Sequence, residues 1–386
     1  MDKKFFNGLA VGCVLTLLVT LGVVTFQRNS NVLDSKSLTK LDRITDIVEH
    51  EYWGEYEKTD IINGIYDGVC FNLDQYSAYL SFEEYEDAVD PDQQFGGIGI
   101  RSIYNKYTKV YRVDYVYPDM PGDLAGLQRN DIIEAIDGVD TYGLDMDKMS
   151  ELIRGEPGTT VSLKVDRDGE LMDIDVVREL VDLPNAYAYG LSEDIGYIRI
   201  LAFTGTVSDE FAAALNSVKS AKGIVLDLRG NSGGTVDRYQ AIASQILPSC
   251  TLQTIVRKDG SREPMICESE LTEPQYKFVV LVDSGTASAA ECLTQALIDV
   301  AGAKVVGEET YGKGVAQEYF QVDANSVLRL TIGYIESPNG VVWNEVGISP
   351  DIEIEYEYLG DDFEESDLLM DNQILAGYEL LVSEIG

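Results

Sequence analysis

A mixed α/β chain of several domains is predicted by three features of the sequence. The chain has 386 residues, more than one ordinary core holds, which points to two or three domains. Residues 95–180 show period-two apolar stretches (GIGIRSI, KVYRVDYV, VSLKVDR) parted by Gly, Pro and Asp turns, the mark of a small, mostly-β domain with a short helix near 145–154. From 186 to 358, buried-strand runs (IGYIRI, GIVLDL, FVVLV, AKVVGE) alternate with helical spacing over 207–219, 235–247 and 286–301, which reads as layered α/β.

The flanking segments follow in order. Lys3 and Lys4 precede an uncharged run from Phe5 to Gln27, closed by Arg28. A bilayer span needs about 20 apolar residues, and no small-x-small exit of a cleaved signal peptide follows. The expectation is therefore a retained single-pass transmembrane helix, with residues 1–35 as membrane anchor and linker. The two lysines put the N-terminus inside and the remainder outside the cytoplasm, at the cell surface or in the periplasm. In the 36–94 region, Leu38, Leu41, Ile44 and Val48, then Ile61, Ile62, Ile65 and Val69, recur near helical spacing. The last stretch, 359–386, is acidic and then helical, with Ile374, Leu375, Tyr378, Leu381, Val382 and Ile385 on one face. Two readings of these helices stay open: arms of a homodimer, or packing on the chain's own core.

Composition excludes several functions. With 29 basic against 67 acidic residues and a net charge of −38, nucleic-acid binding is disfavoured, as is an anionic lipid surface for the part beyond the anchor. The single histidine, His50, lies in an early polar helical pattern, so a His-based triad or a His-rich metal site has no material to draw on. Cys13, Cys70, Cys250, Cys267 and Cys292 form no CxxC pair. No metal and no organic cofactor are expected. A Cys250–Cys267 disulfide is one reading; unpaired thiols acting as small hydrophobes is the preferred one.

Three segments can carry chemistry. In Asp227-Leu-Arg-Gly-Asn-Ser-Gly-Gly234, a buried strand runs into a glycine-rich turn whose amides can face a developing negative charge. In Val282-Asp-Ser-Gly-Thr-Ala-Ser-Ala-Ala-Glu291, a second strand ends in small residues before a helix, placing Ser284 or Ser288 near free helix-start amides. In Thr310-Tyr-Gly-Lys-Gly-Val-Ala-Gln-Glu318, Lys313 lies between glycines, and an extended continuation would put Lys313, Val315 and Gln317 on one face. Each alone has an ordinary structural account: a tight turn, an N-cap serine, a surface lysine. Together they supply an alcohol and an amine where histidine is lacking. An unperturbed lysine is neutral in roughly 1 molecule in 2,500 at pH 7. Lowering its pKa by about 3 units, a shift that burial can impose, costs about 4 kcal/mol.

These segments, in this order, resemble the carboxyl-terminal processing peptidases, or tail-specific proteases. The run Thr286-Ala-Ser-Ala-Ala-Glu291 is similar to the family's nucleophile run, with Thr286 where the first serine usually stands. The family's lysine follows the nucleophile by 25 residues and its glutamine stands four beyond, as do Lys313 and Gln317 here. The resemblance implies Ser288 as nucleophile, Lys313 as base and Gln317 as its orienting partner. It also implies Gly233 and Ala289 as oxyanion donors, with the choice among Gly230, Gly233 and Gly234 left open. Tyr76-Ser-Ala-Tyr79 resembles the family's element before its PDZ domain, and Phe95-Gly-Gly-Ile-Gly99 its carboxylate-binding loop, which points to Phe95, Gly97, Ile98 and Gly99. Arg154, in Ile153-Arg-Gly-Glu-Pro-Gly158, becomes a candidate regulatory switch.

The implied architecture is a PDZ domain over 95–180, an α/β protease domain of the ClpP/crotonase-like type over 186–358, and a tail from 359. The implied activity is a membrane-anchored serine endopeptidase acting on proteins or peptides with accessible C-termini. A catalytically silent PDZ scaffold at the cell surface is the alternative reading, and a lipid or small-molecule carrier on the same fold is a third.

Overall fold

The computed structural model describes residues 33–89, 95–105, 109–117, 119–144, 146–167, 169–181, 184–357 and 365–385. Two compact units divide it at Tyr66/Asp67. The first holds helix α1 (Ser35–Glu51) and the start of α2 (Lys58–Cys70). Asp34 caps α1 by accepting the Ser37 amide at 2.7 Å, which satisfies one of the orphan N–H groups of a helix start. Within this unit Lys58 Nζ meets Glu49 Oε1 at 2.5 Å on the exposed surface.

The expected transmembrane helix is corrected here. Among the described residues no helix is long and apolar enough to cross a membrane. The longest, α1, has 17 residues and carries Lys36, Lys40, Asp42, Arg43, Asp46, Glu49 and Glu51, charges that hydrocarbon does not tolerate. The apolar stretch 5–27 lies outside the described residues. The described residues thus form a mixed α/β fold, with no such helix among them.

The second unit begins with β1 (Ala78–Ser81) and α3 (Phe82–Val89) and continues into a β-rich portion. Its strands are β2 (Phe95–Gly97), β3 (Ile100–Asn105), β4 (Val110–Val116), β5 (Ile132–Ile136), β6 (Val139–Asp140), β7 (Thr160–Arg167), β8 (Glu170–Val177) and β9 (Glu179–Val181), with short helix α4 (Pro121–Leu124) and helix α5 (Met146–Ile153). Strands β3-β4-β5-β7-β8 form an antiparallel sheet with β6 appended to β5, while β2 pairs only with β9. Alternation along β7 sends Val161, Leu163 and Val165 into a core with Ile98, Tyr111, Val113, Ile133, Ile136 and Met149. Buried Arg178 secures α5 by donating to the carbonyls of Leu152 (3.0 Å) and Ile153 (2.7 Å), which the helix end leaves unpaired.

The remaining portion is layered. Strands β10 (Ala186–Gly190), β11 (Ile195–Ile200) and β12 (Gly223–Asp227) lead the chain through α6 (Val207–Ser217) and α7 (Val236–Ile246). The hairpin β13 (Cys250–Arg257) and β14 (Arg262–Cys267) follows, then β15 (Lys277–Val282), α8 (Ala289–Ala296) and β16 (Lys304–Gly307). Long strands β17 (Val315–Gln321) and β18 (Ser326–Glu336), short β19 (Ile352–Glu353) and α9 (Asn372–Ile385) complete it.

The six-stranded sheet β10-β11-β12-β15-β16-β19 is parallel apart from β10. Its central strands are buried on both faces, which explains their unbroken Val/Ile/Leu runs. One face packs Leu226, Val280 and Val282 against Phe211, Tyr239, Ile242 and Leu293 of α6, α7 and α8. The other packs Val225, Val279 and Leu281 against Ile374 and Leu381 of α9. Of the two readings of the C-terminal helix, packing on the chain's own core is therefore the one observed. Gly377 permits the close approach, because a Cβ there would lie 3.2 Å from Val279 and 3.4 Å from Leu281. A second sheet, β1-β18-β13-β14 with β17 on β18, brings the segment around Tyr76 beside residues 326–336.

Candidate active site

Three parallel strands deliver the site at their C-terminal ends. After β12 the chain turns through Arg229 to Gly234, after β15 it turns through Asp283 to Ser288, and after β16 it runs to Lys313. The first two turns are stitched together. Asp283 Oδ1 accepts the amides of Gly230 (2.8 Å) and Gly285 (3.0 Å), and Thr286 Oγ1 donates to the Leu228 carbonyl (2.9 Å). The Ala287 amide donates to the Asn231 carbonyl (2.9 Å).

Ser288 caps α8 in a conformation that side chains rarely adopt, φ 56° and ψ −118°. Such backbone strain persists only where the surroundings over-determine it, and it clusters at reactive positions. Here the surroundings include Glu291, fully buried one turn into the helix. Its Oε2 accepts the amide of Ser288 at 2.8 Å and that of Lys313 at 2.8 Å. Its Oε1 accepts the Thr310 hydroxyl at 2.6 Å and the Gly312 amide at 2.8 Å. One carboxylate thus binds the serine turn to the lysine loop.

The amine of Lys313 is half-buried, and no ion pair among the described residues includes it. Its pKa lies below the ordinary 10.5, chiefly because burial disfavours the cation, with the Arg329 guanidinium adding repulsion and Glu291 opposing both. The Tyr76 ring lies over Nζ, 5.0 Å from its centroid. No hydrogen bond joins Ser288 Oγ to Lys313 Nζ among the described residues.

Gly233 presses against the serine: a Cβ on it would stand 2.8 Å from Ser288 Cβ and 3.0 Å from the Ala289 nitrogen. At φ 106° only glycine fits readily. Its N–H, however, donates to Asn231 Oδ1 at 2.9 Å, and that of Gly230 to Asp283. Among the described residues the amides of Gly234 and Ala289 make no hydrogen bond. Gln317 does not reach Lys313; its Nε2 donates to the Val315 carbonyl at 3.3 Å. The pairing register shifts opposite Ala316 and Gln317, where Ile332 of β18 is the extra residue of a bulge. Ser284 is exposed in the turn before the helix.

In the β-rich portion, Phe95 and Gly97 pair with Val181 and Glu179, and Gly99 has φ 66°. The carbonyls of Ile98 and Gly99 accept the amides of Gly122 (2.7 Å) and Tyr117 (3.0 Å), while their own amides make no hydrogen bond among the described residues. Arg154 ends α5, donating its amide to the Ser150 carbonyl (2.9 Å), and the next residue, Gly155, donates to the Gly96 carbonyl (3.0 Å).

Several site residues had gone without a role in the sequence reading. Glu291 carried a signal, the Ser-x-x-Glu spacing of a capping box. Asp227 and Arg229 stood in the glycine-rich motif, and the structure makes them a buried pair. Arg229 Nη2 lies 2.6 Å from Asp227 Oδ2, and its Nη1 reaches Asp371 (2.8 Å) and Gln373 (2.7 Å) at the start of α9. The glycine-rich turn is thus held at Arg229 by residues 142 and 144 positions further along the chain.

Sequence comparison matches residues 194–354 to peptidase family S41 and residues 112–167 to a PDZ domain. The chain is similar to the carboxy-terminal processing protease CtpA of Bacillus subtilis, 31% identical over 373 residues, covering 92% of this chain and 77% of that one. It is also similar to the carboxy-terminal-processing protease of Bartonella bacilliformis, 30% identical over 369 residues, covering 92% and 82%. Among solved structures, a photosystem II D1 C-terminal processing protease shares the fold, with a TM-score of 0.51 at 23% identity, covering 83% of this chain and 88% of that one. With these similarities added to the site, the chain belongs to peptidase family S41 as a C-terminal processing serine peptidase that carries a PDZ domain.

Proposed function

We propose that this peptidase works through Ser288 and Lys313. Neutral Lys313 takes the Ser288 proton as Oγ attacks the substrate carbonyl. The proton passes to the departing amine as the peptide bond breaks, and water then hydrolyses the acyl-enzyme. The observation that carries the reading is the single oxygen, Glu291 Oε2, that accepts the amides of both Ser288 and Lys313. It fastens the backbones of the two residues to one point, and among the described residues no carboxylate pairs with the amine.

The oxyanion is met by the Ala289 amide and by a glycine amide. That glycine is Gly233 once its N–H turns from Asn231, or Gly234 as it stands. Removing one such donor typically costs about 100-fold or more. Gln317 has no part in this mechanism. In the PDZ domain, a substrate C-terminal segment adds as a strand, with its carboxylate at the free amides of Ile98 and Gly99. Arg154, beside the Gly155–Gly96 bridge, is the residue through which that loop would report occupancy.

The silent-scaffold reading is favoured by one feature, the missing hydrogen bond between Ser288 and Lys313. Catalytic pairs often close only on substrate, so the test is kinetic. The full chain is given dye-labelled casein and a fluorophosphonate. Loss of cleavage in both Ser288→Ala and Lys313→Ala, with the adduct on Ser288, supports the enzyme. Parent-like cleavage in both variants overturns the assignment, and loss in Ser284→Ala with Ser288→Ala active moves the nucleophile to Ser284.

A further inference from the structure

We propose that Arg329 and Tyr76 are positioning residues for the base: Arg329 sets a permanent positive charge against Lys313, and Tyr76 holds that charge in place while walling the amine from water. The inference rests on Lys313 being the base and deepens that reading. The segment Tyr76-Ser-Ala-Tyr79 has no role in the mechanism above, yet the fold fixes it with care. Ala78 pairs with Arg329 across β1 and β18. Arg329 Nε donates to the Tyr76 carbonyl at 2.8 Å, and the Thr331 amide donates to Ser77 Oγ at 3.1 Å. Asp74 Oδ1 accepts the amides of Tyr76 and Ser77, each at 2.8 Å. Tyr76 therefore meets both basic side chains, its carbonyl holding the guanidinium and its ring lying over the amine at 5.0 Å.

A guanidinium beside an amine favours the uncharged amine, because arginine cannot shed its own proton to relieve the repulsion. The other groups facing Lys313 do not cancel this. Glu291, from α8, acts in the opposite sense, but its two oxygens are aimed at four other donors. Tyr311, on the lysine's own loop, interacts with Tyr76 rather than with Nζ. The Tyr76 ring acts in two directions, excluding water, which disfavours the cation, and offering its face, which attracts it. The charge of Arg329 thus adds to burial, the larger cause, in disfavouring the cation.

The test is the pH dependence of kcat/KM of the full chain on dye-labelled casein. Arg329→Gln is expected to raise the acidic limb by roughly half to one pH unit, a 3- to 10-fold loss below the limb, with the high-pH plateau kept. Arg329→Lys, which keeps the charge, is expected to leave the limb at the parent's position. If Arg329→Gln does not fold, Arg329→Met, with an apolar stem and no charge, is read the same way. An unmoved limb in the neutral variants while Lys313→Ala is inactive overturns the role of Arg329 and leaves the base assignment intact. A limb raised equally in Arg329→Lys also overturns it, since the charge was kept. Parent-like activity in Lys313→Ala removes the base assignment itself and the proposal with it.

Discussion

Replacing Glu291 with glutamine tests the joint between the serine turn and the lysine loop. The carboxylate is fully buried and accepts four hydrogen bonds, two on each oxygen. Glutamine keeps one accepting oxygen. Its best placement leaves that oxygen on the amides of Ser288 and Lys313. Its NH2 then faces Thr310, whose hydroxyl oxygen already accepts the Ile348 amide (2.7 Å) and can take a second donor. The Gly312 amide is then left with no acceptor. One buried unsatisfied donor costs about 1–3 kcal/mol, a sizeable part of a typical stability of about 5–15 kcal/mol. Glu291→Ala strands all four donors and is expected not to fold. The assay is urea unfolding of the full chain at pH 7, followed by tryptophan fluorescence and circular dichroism. A Glu291→Gln midpoint equal to the parent's, at unchanged slope, would show that the carboxylate does not hold the two segments together. The same variant removes the charge that favours the Lys313 cation, so its acidic limb should fall while that of Arg329→Gln rises.

Gly233→Ala should lower kcat and cost about 1–3 kcal/mol in backbone strain, because its Cβ would press on Ser288 Cβ at 2.8 Å; casein cleavage and urea unfolding check both. Burial alone would raise the Asp227 carboxyl, but the Arg229 and Arg199 charges and the bonds from Arg229 and Tyr197 outweigh it and hold it well below the carboxylate range. A carboxyl depressed in the fold stabilises it above the unfolded value of about 3.9 and loses that contribution as pH falls. Urea stability should therefore drop steeply below about pH 4, and Asp227→Asn should cost about 3–5 kcal/mol at pH 7 by removing one of the two carboxylates that pair with buried Arg229. Asp371→Ala should destabilise by about 1–3 kcal/mol and reduce turnover, read by the same two assays.

The elements that were legible in the sequence are those whose signal is local. IGYIRI and FVVLV are strands because both faces are covered, and such runs have no polar side to misread. Ser288 and Lys313 stood out by residue type and by their interval of 25 residues, and the fold brings both to Glu291. What was not legible depends on contacts between distant segments. Nothing near Tyr76 announces that it will lie beside Arg329, since β1 joins its sheet only after β18 is made. The place of Gln317 was argued from strand alternation and from the family's spacing, whereas its side chain donates to the Val315 carbonyl of its own strand, a contact neither argument contains. The family resemblance implied Gly233 as an oxyanion donor, with Gly230 and Gly234 left open, and it gave no hint that the Gly233 amide donates to the side chain two residues earlier. The apolar N-terminal stretch suggested a membrane span by composition alone, and it falls outside the described residues.

The grip of Asp371 and Gln373 on Arg229 has a consequence for biosynthesis. A nascent chain that has emerged through Lys313 already owns its alcohol and its amine, but the guanidinium behind the glycine turn still lacks two of the three side chains it bonds, Asp371 and Gln373. A prematurely terminated product would resemble a scissors with the pivot missing. On the mechanism proposed above, cleavage competence then waits for residues 371 and 373 as well as for Ser288 and Lys313.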